Sequence, residues 1–86
     1  MNKVFADIAW NDYQYWLKID KTKLKKINKL IQSIERDGFS KGLGKPEPLK
    51  YEFRGYWSRR ISDEHRLIYK VDADNIYIAS CKDHYE

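Results

Sequence analysis

The sequence predicts a two-layer α+β fold in which a pair of helices covers one face of a mainly antiparallel sheet. Three observations support this prediction: a strand-like run begins the chain, two apolar stripes of helical period follow it, and short apolar runs separated by tight turns fill the second half. The 86 residues, of which 42% are hydrophobic and 13 are aromatic, suffice for one small core. We therefore expect a single domain over residues 1–86.

One strand and one helix are expected to begin the chain. Residues 3–8 are typical of a strand, because alternate positions are apolar: Val4, Ala6 and Ile8. Residues 9–19 predict the first helix, since four side chains fall on one stripe at helical spacing: Ala9, Tyr13, Trp16 and Leu17. We expect this stripe to face the core.

A second helix is predicted from residue 20, where Asp20 is suited to cap its N-terminus, to residue 36. Its apolar stripe repeats at three and four residues and comprises Leu24, Ile27, Leu30, Ile31 and Ile34. The opposite face is polar and basic, with Lys25, Lys29, Gln32 and Arg36. Because such a face is more often solvated than functional, we expect it to face water.

The second half is expected to be a loop followed by four strands. Gly38 ends the helix, and residues 38–48 hold three of the four glycines and both prolines, which predicts a loop. Because loops often carry catalytic groups, Glu47, between Pro46 and Pro48, is a place to look for chemistry. Strands are predicted at 49–54, 56–62, 65–71 and 76–82, with tight turns that favour an antiparallel meander.

Basic charge is concentrated in the centre of the chain. The formal net charge is +4, but residues 21–66 carry thirteen basic and six acidic side chains, whereas the two ends together have a net charge of −3. Three arginines of this block, Arg59, Arg60 and Arg66, lie among aromatic residues, as in surfaces that hold phosphates and stack bases. A solvated charged face over an aromatic core fits the composition equally well, so charge alone leaves the function open.

Several classes of protein are excluded by what the sequence lacks. A single cysteine, Cys81, rules out an intramolecular disulfide, and with two histidines it gives too few ligands for a four-ligand zinc site. We therefore expect no metal and no other cofactor. Because Cys81 lies in an apolar run, a buried, inert thiol is expected. No apolar run is long enough to span a bilayer, so we expect a soluble cytoplasmic protein with no membrane contact.

The remaining residue types fit the cleavage of RNA through its own 2′-hydroxyl. That reaction needs a base for the 2′ proton, cations for the pentavalent phosphate and an acid for the departing 5′ oxygen. Glu47 has the chemistry of the base, and Arg60 and Arg66 have that of the cations. Near the C-terminus, His84 and Tyr85 offer an acid and a stacking ring.

Each of these residues also has a structural interpretation without chemistry. Glu47 is then a surface carboxylate, and Arg60 and Arg66 are cross-strand partners of Glu64 or Asp63. His84 and Tyr85 then belong to a frayed terminus. Composition and spacing do not by themselves establish the catalytic arrangement.

Four ordered motifs resemble one known family. They are GKPEPLK at residues 44–50, GYWSRRI at residues 55–61, EHRLIY at residues 64–69, and the terminal Cys81-x-x-His84-Tyr85. Together with Trp10 and the aromatic residues of the first helix, they extend over nearly the whole chain. In these motifs the chain is similar to the YoeB/Txe family of toxin endoribonucleases.

The resemblance implies a RelE-like fold and the toxin of a type II toxin–antitoxin pair. It implies metal-independent cleavage of mRNA in the ribosomal A site, which leaves a 2′,3′-cyclic phosphate and a 5′-hydroxyl. Glu47 would be the general base, Arg66 would stabilise the transition state and His84 would be the general acid. Further roles implied are assistance with phosphate binding by Lys50 and Arg60 and positioning of the RNA by Tyr85.

The same resemblance implies several partners. They are a cognate antitoxin of the YefM/Axe type that covers the basic groove, the ribosome with its mRNA, a second copy of the toxin in a homodimer, and operator DNA bound by the toxin–antitoxin complex. RNA or an acidic antitoxin segment would complement the basic centre of the chain. The alternative is a non-catalytic RNA- or DNA-binding module, in which the same arginines and tyrosines hold nucleic acid without cutting it.

Two points are left open by the sequence. Asp83 and Glu86 flank His84, and their negative charge favours its protonated form. Arg59 and Arg60 are adjacent in a predicted strand, so only one of them can readily face the groove. The choice of Arg60 comes from the resemblance, because alternation does not distinguish the two.

Overall fold

The computed structural model describes residues 1–83, so the predicted site residues His84 and Tyr85 lie outside the described part of the chain. Residues 1–83 form two helices, five strands and a short 3₁₀ turn. In chain order these are β1 (Asn2–Phe5), α1 (Asp7–Ile19), α2 (Lys21–Asp37), β2 (Glu47–Pro48), the 3₁₀ turn (Tyr51–Phe53), β3 (Trp57–Arg60), β4 (Arg66–Val71) and β5 (Asn75–Ser80). The predicted two-layer α+β fold is confirmed, since both helices pack on the same face of the sheet.

The strands form one mixed sheet in the order β1-β5-β4-β3-β2. Strands β2 to β5 make the predicted antiparallel meander. β1 pairs with β5 in parallel, because the helices carry the chain across the sheet before it returns. Asp72 stabilises the last turn, since its carboxylate accepts hydrogen bonds from the backbone N–H groups of Asp74 and Asn75, both at 2.9 Å.

Asp20 separates the two helices, as predicted. Its carboxylate accepts hydrogen bonds from the backbone N–H groups of Thr22 at 3.0 Å and Lys23 at 3.4 Å, two donors that a helix N-terminus leaves unpaired. The side-chain bond from Lys23, followed by these backbone bonds, holds the pKa of Asp20 below its usual value. At the other end of α2, Gly38 has a φ of +94°, and its N–H bonds to the carbonyl of Ile34.

The core lies between the helix pair and the inner face of the sheet, which is the face that the helices cover. The predicted stripe of α2 is confirmed there, because Leu24 packs against the core and the other four members are buried: Ile27, Leu30, Ile31 and Ile34. They pack with Ala9 and Trp16 of α1 and with Leu67, Tyr69, Ile76 and Ile78 of the sheet. Within residues 1–83, no helix combines the length and the apolar character needed to cross a membrane.

The N-terminal elements have other bounds than predicted. β1 ends at Phe5 and α1 begins at Asp7, whose charge suits the first turn of a helix, so the strand over 3–8 and the helix start at residue 9 are wrong. Ile8 therefore lies on the helix and is 67% exposed. Leu17, expected in the buried stripe, is 43% exposed. Successive residues of a helix are about 100° apart around its axis, so Leu17 points away from the core when its neighbour Trp16 is buried there.

The strand predicted at 49–54 is also wrong. The chain forms a 3₁₀ turn there, and the strand lies earlier, at Glu47–Pro48. Tyr51 has a φ of +58°, which does not continue a strand, and the N–H of Phe53 closes the turn on the carbonyl of Lys50. Glu47 therefore lies on an edge strand rather than in the loop, and Pro48 is tolerated because an edge strand leaves some N–H positions unpaired.

Truncation of a buried residue of α2 is expected to cost far more stability than truncation of an exposed residue of α1. Ile27→Ala should lower the free energy of unfolding by about 2–5 kcal/mol, since Ile27 is fully buried. Leu17→Ala, the control, should change it by less than about 0.5 kcal/mol. Urea unfolding of the purified protein measures both. Equal losses in the two variants would contradict this assignment of the core.

Candidate active site

The outer face of the sheet, opposite the helices, carries three of the four predicted site residues that fall within residues 1–83: Glu47, Arg60 and Arg66. The register pairs Glu47 with Ser58 and Arg60 with Arg66 on neighbouring strands. Because side chains alternate along a strand, these four residues point to the same side. This surface, here termed the open face, comprises Glu47, Ser58, Arg60, Arg66 and Lys70 on strands β2, β3 and β4.

Two arginines lie directly opposite each other on the open face. Arg60 of β3 pairs with Arg66 of β4, an arrangement that places their Cβ atoms about 5 Å apart. Like charges in such positions repel each other, and the exposed Arg60 has no ion pair with any residue among 1–83. A bound anion would relieve this repulsion and would accept charge-assisted hydrogen bonds from both guanidinium groups. The pair is therefore suited to hold a phosphate.

Glu47 lies diagonally across from Arg60. Its register partner Ser58 precedes Arg60 by two residues, so Glu47 and Arg60 are diagonal neighbours, roughly 7–8 Å apart, with their Cβ atoms somewhat closer. Glu47 is exposed, and its carboxylate makes no hydrogen bond or ion pair with the described residues. Within residues 1–83, the carboxylate is thus available to a ligand that the arginine pair holds.

One edge of the Arg66 guanidinium is fixed by the backbone of the preceding turn. Its Nη1 donates to three carbonyl oxygens, those of Ser62 at 2.6 Å, Asp63 at 3.1 Å and His65 at 3.1 Å. Nε and Nη2 make no hydrogen bond to residues 1–83. These two donors form the geometry that binds two oxygens of a phosphate or carboxylate at once.

The structural interpretation of the two arginines is not supported by the described contacts. Cross-strand ion pairs with Asp63 or Glu64 are absent among residues 1–83. Arg66 binds the main-chain carbonyl of Asp63 and not its carboxylate. The positive charge of both arginines therefore remains uncompensated on the described part of the open face.

Arg59 faces the inner side of the sheet and is fully buried. Its guanidinium donates hydrogen bonds of 2.6–3.0 Å to the Tyr69 hydroxyl, the Ser33 hydroxyl and the carbonyl oxygens of Gly38, Lys41 and Leu43. Three of these acceptors are main-chain groups of the loop that follows α2. Arg59 is thus a structural anchor, and Arg60 is the arginine of β3 that lies on the open face.

Two glycines let this loop approach Arg59. Gly42 and Gly44 have φ values of +105° and +85°, a region that favours glycine. A Cβ at residue 42 would lie 2.6 Å from the Asp37 carboxylate, and one at residue 44 would lie 2.7 Å from Leu30 Cδ2. The loop therefore needs glycine at both positions to pack against α2 and β3. From this anchored loop the chain continues into Glu47.

Two ionisable groups beside Arg59 have shifted pKa values. Hydrogen bonds from Arg36 and then Ser33, together with the charge of Arg59, hold the pKa of Asp37 below its usual value. Burial raises the pKa of Tyr69, although the hydrogen bond from Arg59 opposes this shift. Tyr69 is therefore protonated at neutral pH, and its hydroxyl donates to the carbonyl of Phe39 at 2.6 Å. This bond ties the same loop to β4.

Cys81 is buried, as predicted, and its thiol has no reactive character. Burial, with a smaller contribution from the charge of Asp12, raises the pKa of Cys81 to about 12. Its Sγ lies 3.6 Å from the carbonyl oxygen of Ala9. Among residues 1–83, no group of three His, Cys, Asp or Glu side chains is arranged to hold a metal ion.

The described chain ends beside the open face. The backbone N–H of Arg66 donates to the carbonyl oxygen of Asp83 at 2.8 Å. The predicted acid His84 follows this residue directly in the sequence but lies outside the described part, as does Tyr85. The Asp83 carboxylate lies 3.7 Å from the Nζ of Lys82, so a cation accompanies one of the two carboxylates that flank His84.

Lys50 is less closely joined to the open face than the other predicted residues. It lies three residues beyond Glu47, where its carbonyl begins the 3₁₀ turn, and its side chain is exposed. No contact within residues 1–83 directs its ammonium group towards Arg60 or Arg66. Its predicted role in phosphate binding therefore depends on side-chain flexibility, which a lysine has.

Sequence reasoning missed other residues around the arginine pair. Ser58 and Lys70 belong to the open face, and the Nζ of Lys70 lies 5.1 Å from the ring centre of Tyr56 and 5.5 Å from that of Tyr77. The pairing of β4 with β3 on one side and with β5 on the other brings these side chains together, and a single sequence does not contain that register. Arg59 lies on the same side of β3 as Trp57, whose packing against the core is known only from the structure.

The fold and the open face define a class of small proteins with a RelE-like fold, in which one sheet face packs on two helices and the other carries charged residues. Residues 5–85 match a family model described as "YoeB-like toxin of bacterial type II toxin-antitoxin system". The match includes all four motifs noted in the sequence. The chain therefore belongs to the YoeB family and is a toxin of a type II toxin–antitoxin system.

Relatives support the same assignment over the full length. Toxin YoeB of Escherichia coli (strain K12) is 49% identical over 85 residues, which are 99% of this chain and 100% of that protein. A solved YoeB dimer from Staphylococcus aureus has a TM-score of 0.95 at 53% identity and covers 99% of this chain and 98% of that one. A heterotetrameric YoeB–YefM toxin–antitoxin complex from the same organism has a TM-score of 0.93 at 53% identity, with the same coverage.

Replacement of the inner arginine of β3 is expected to destabilise the protein, whereas replacement of the outer one is not. Arg59→Met should lower the free energy of unfolding by roughly 3 kcal/mol, because it leaves several buried acceptors unpaired. Arg60→Met, the matched control, should leave it within about 0.5 kcal/mol, since it removes a like-charge contact with Arg66 and no described ion pair. Urea unfolding at neutral pH compares the two. Similar losses in both would contradict the assignment of inner and outer arginine.

Proposed function

We propose that this toxin is a ribosome-dependent mRNA endoribonuclease that inhibits translation in the cytoplasm. The observation that carries the proposal is the placement of Glu47 and the Arg60–Arg66 pair on one face of the sheet, opposite the helices. A carboxylate beside two uncompensated guanidinium groups provides a base next to a phosphate site. Membership of a toxin family whose motifs contain these residues supports the same interpretation.

The proposed reaction uses the substrate's own 2′-hydroxyl as the nucleophile. The Glu47 carboxylate takes the 2′ proton, and the 2′ oxygen attacks the adjacent phosphorus. Arg66, assisted by Arg60, balances the charge that develops on the pentavalent phosphate. His84 donates a proton to the departing 5′ oxygen as the P–O bond breaks. The products are a 2′,3′-cyclic phosphate and a 5′-hydroxyl, and the protein groups supply every proton transfer without a metal.

Two further residues are proposed to hold the RNA rather than to transfer protons. Lys50 follows Glu47 by three residues, and its exposed, flexible side chain provides a cation close in sequence to the proposed base. Tyr85, next to the proposed acid, provides a ring on which a base can stack. The described open face is short, so we propose that the ribosome positions the mRNA and that the toxin supplies the chemical groups.

The proposed protein partners are a cognate antitoxin of the YefM type and a second copy of the toxin. The relatives from Staphylococcus aureus have been solved as a YoeB dimer and as a YoeB–YefM complex. Large apolar side chains on α1 are exposed in the single chain, which suits contact with protein: Ile8, Trp10, Leu17 and Ile19. An acidic antitoxin segment would complement the arginine pair, and the complex is proposed to bind operator DNA and repress its own operon.

Replacement of the proposed base should abolish cleavage without loss of the fold. Glu47→Gln is expected to slow mRNA cleavage on translating ribosomes by at least about 100-fold, because it removes general-base catalysis. His84→Gln should have an effect of similar size. The measurement maps new mRNA 5′ ends in the presence of EDTA. Mass spectrometry of the upstream fragment identifies the group at its 3′ end. Thermal unfolding and antitoxin binding of both variants should match those of the wild type.

Glu52→Gln is the matched control, because Glu52 is an exposed carboxylate on the neighbouring 3₁₀ turn. This variant should cleave as the wild type does. Absence of any new 5′ end with the wild-type protein would overturn the enzyme proposal and favour a non-catalytic nucleic-acid-binding module. Full activity of Glu47→Gln would instead remove the proposed role of Glu47 alone.

A further inference from the structure

The segment that precedes His84 is held by side chains from α1. The backbone N–H of Cys81 donates to the Asp12 carboxylate at 3.0 Å, and the indole Nε1 of Trp16 donates to the Cys81 carbonyl at 2.8 Å. Burial raises the pKa of Asp12, although the hydrogen bond from Cys81 opposes this shift. Both polar groups of the Cys81 backbone are thus fixed to a helix that forms part of the core.

Asp83 is held in the same manner by the start of β4. Its backbone N–H donates to Nδ1 of His65 at 2.8 Å, and its carbonyl accepts from the backbone N–H of Arg66 at 2.8 Å. The φ of Asp83 is +61°, in the left-handed region that Asp adopts more readily than most residues. The chain therefore changes direction at Asp83, and two neighbouring residues fix the peptide groups at this bend.

The His65 ring is itself fixed in one orientation. Its side chain is only 15% exposed, and its ring packs edge-on against Trp16 with the ring centres 4.8 Å apart. Among residues 1–83, the Asp83 carboxylate lies 4.0 Å from Nδ1 and is accompanied by the Lys82 ammonium, and Glu64 and Arg66 are the charged neighbours of His65 in the sequence. Since Nδ1 accepts the Asp83 N–H, the ring proton of the neutral imidazole lies on Nε2.

We propose that His65 is a positioning residue for the reaction, acting as a latch on the chain that carries the proposed general acid. Its Nδ1 holds the amide of Asp83, and His84 is the next residue. This inference rests on the proposed function in one respect, the role of His84. His65 itself is not proposed to touch the RNA or to transfer a proton.

The latch joins the segment that precedes the proposed general acid to the proposed phosphate site. Arg66, which would hold the phosphate, forms the backbone bond to the Asp83 carbonyl, and His65, the residue before it, holds the Asp83 N–H. The residue preceding the acid is therefore held by two hydrogen bonds, one to Arg66, which would bind the phosphate, and one to His65, the residue before it. Because a displacement of about 1 Å of a catalytic group can cost about 100-fold in rate, loss of this constraint should act on the chemical step.

A pair of substitutions separates the hydrogen bond from the packing of the ring. His65→Leu keeps an apolar side chain against Trp16 but has no acceptor for the Asp83 N–H. His65→Asn is the matched variant, because the Asn side-chain oxygen lies about where Nδ1 lies in His and can accept the same bond. Both variants are measured as full-length toxin.

Two measured quantities are expected to depend on the hydrogen bond from the Asp83 N–H to His65: the exchange rate of the Asp83 amide hydrogen and kcat. The exchange of the Asp83 amide hydrogen, measured by NMR in the free toxin, should be about tenfold faster in His65→Leu than in the wild type or in His65→Asn. On programmed ribosomes, His65→Leu should lower kcat by about 10- to 100-fold with KM changed by less than about threefold, and His65→Asn should restore most of the rate.

Three results would overturn the latch. The first is an Asp83 amide that exchanges as fast in the wild type as in His65→Leu. The second is wild-type cleavage by a folded His65→Leu variant. The third is a folded His65→Asn variant that keeps the Asp83 amide protected from exchange yet loses cleavage. This third outcome would overturn the proposal even if His65→Leu does not fold. If the wild type cleaves no mRNA, the proposed function fails, whereas amide exchange still tests the latch.

Discussion

The buried Arg59 guanidinium is the interaction on which the rest of the described site depends. It satisfies carbonyls of the loop after α2, a serine of α2 and a tyrosine of β4, so three parts of the fold meet at one side chain. Removal of a buried charge from such a set leaves several acceptors unpaired, which is costly in a chain with a small core. Because Arg59 points inward, its neighbour Arg60 must point outward. The loop that Arg59 anchors leads into β2, and the pairing of β2 with β3 places Glu47 on the same outer face.

The site is assembled mainly by backbone pairing. Register alone places Glu47, Arg60 and Arg66 on adjacent strands of one face, and the edge position of β2 leaves Glu47 exposed. The two arginines are like charges at paired positions, so part of the binding energy of a phosphate would come from relief of their repulsion. The three arginines of the basic central block are thus divided between an inner, structural Arg59 and an outer pair, Arg60 and Arg66, for which a role in phosphate binding is proposed.

The sequence predicted the helices better than the sheet. The cap at Asp20, the glycine after α2 and the stripe at Ile27 to Ile34 are local signals, and the structure confirms them. Residues 49–54 had a strand-like pattern, but Tyr51 adopts a positive φ that no pattern reveals. The choice between Arg59 and Arg60 depends on contacts with residues 10 to 26 positions away, which periodicity does not contain. The roles of Glu47, Arg66 and His84 came from the family motifs, and these roles remain predictions.

The central claim is that RNA binds the open face and not the basic outer side of α2. An NMR titration tests it directly, with the toxin and a short RNA whose 2′-O-methyl groups prevent attack on the phosphate. We predict shifts of the backbone amide signals of Glu47, Ser58, Arg60 and Arg66 and of the guanidinium signals of the two arginines. The signals of the exposed Lys25, Lys29 and Arg36 of α2 should stay unchanged. Shifts confined to those three α2 residues, with none on the open face, would contradict it.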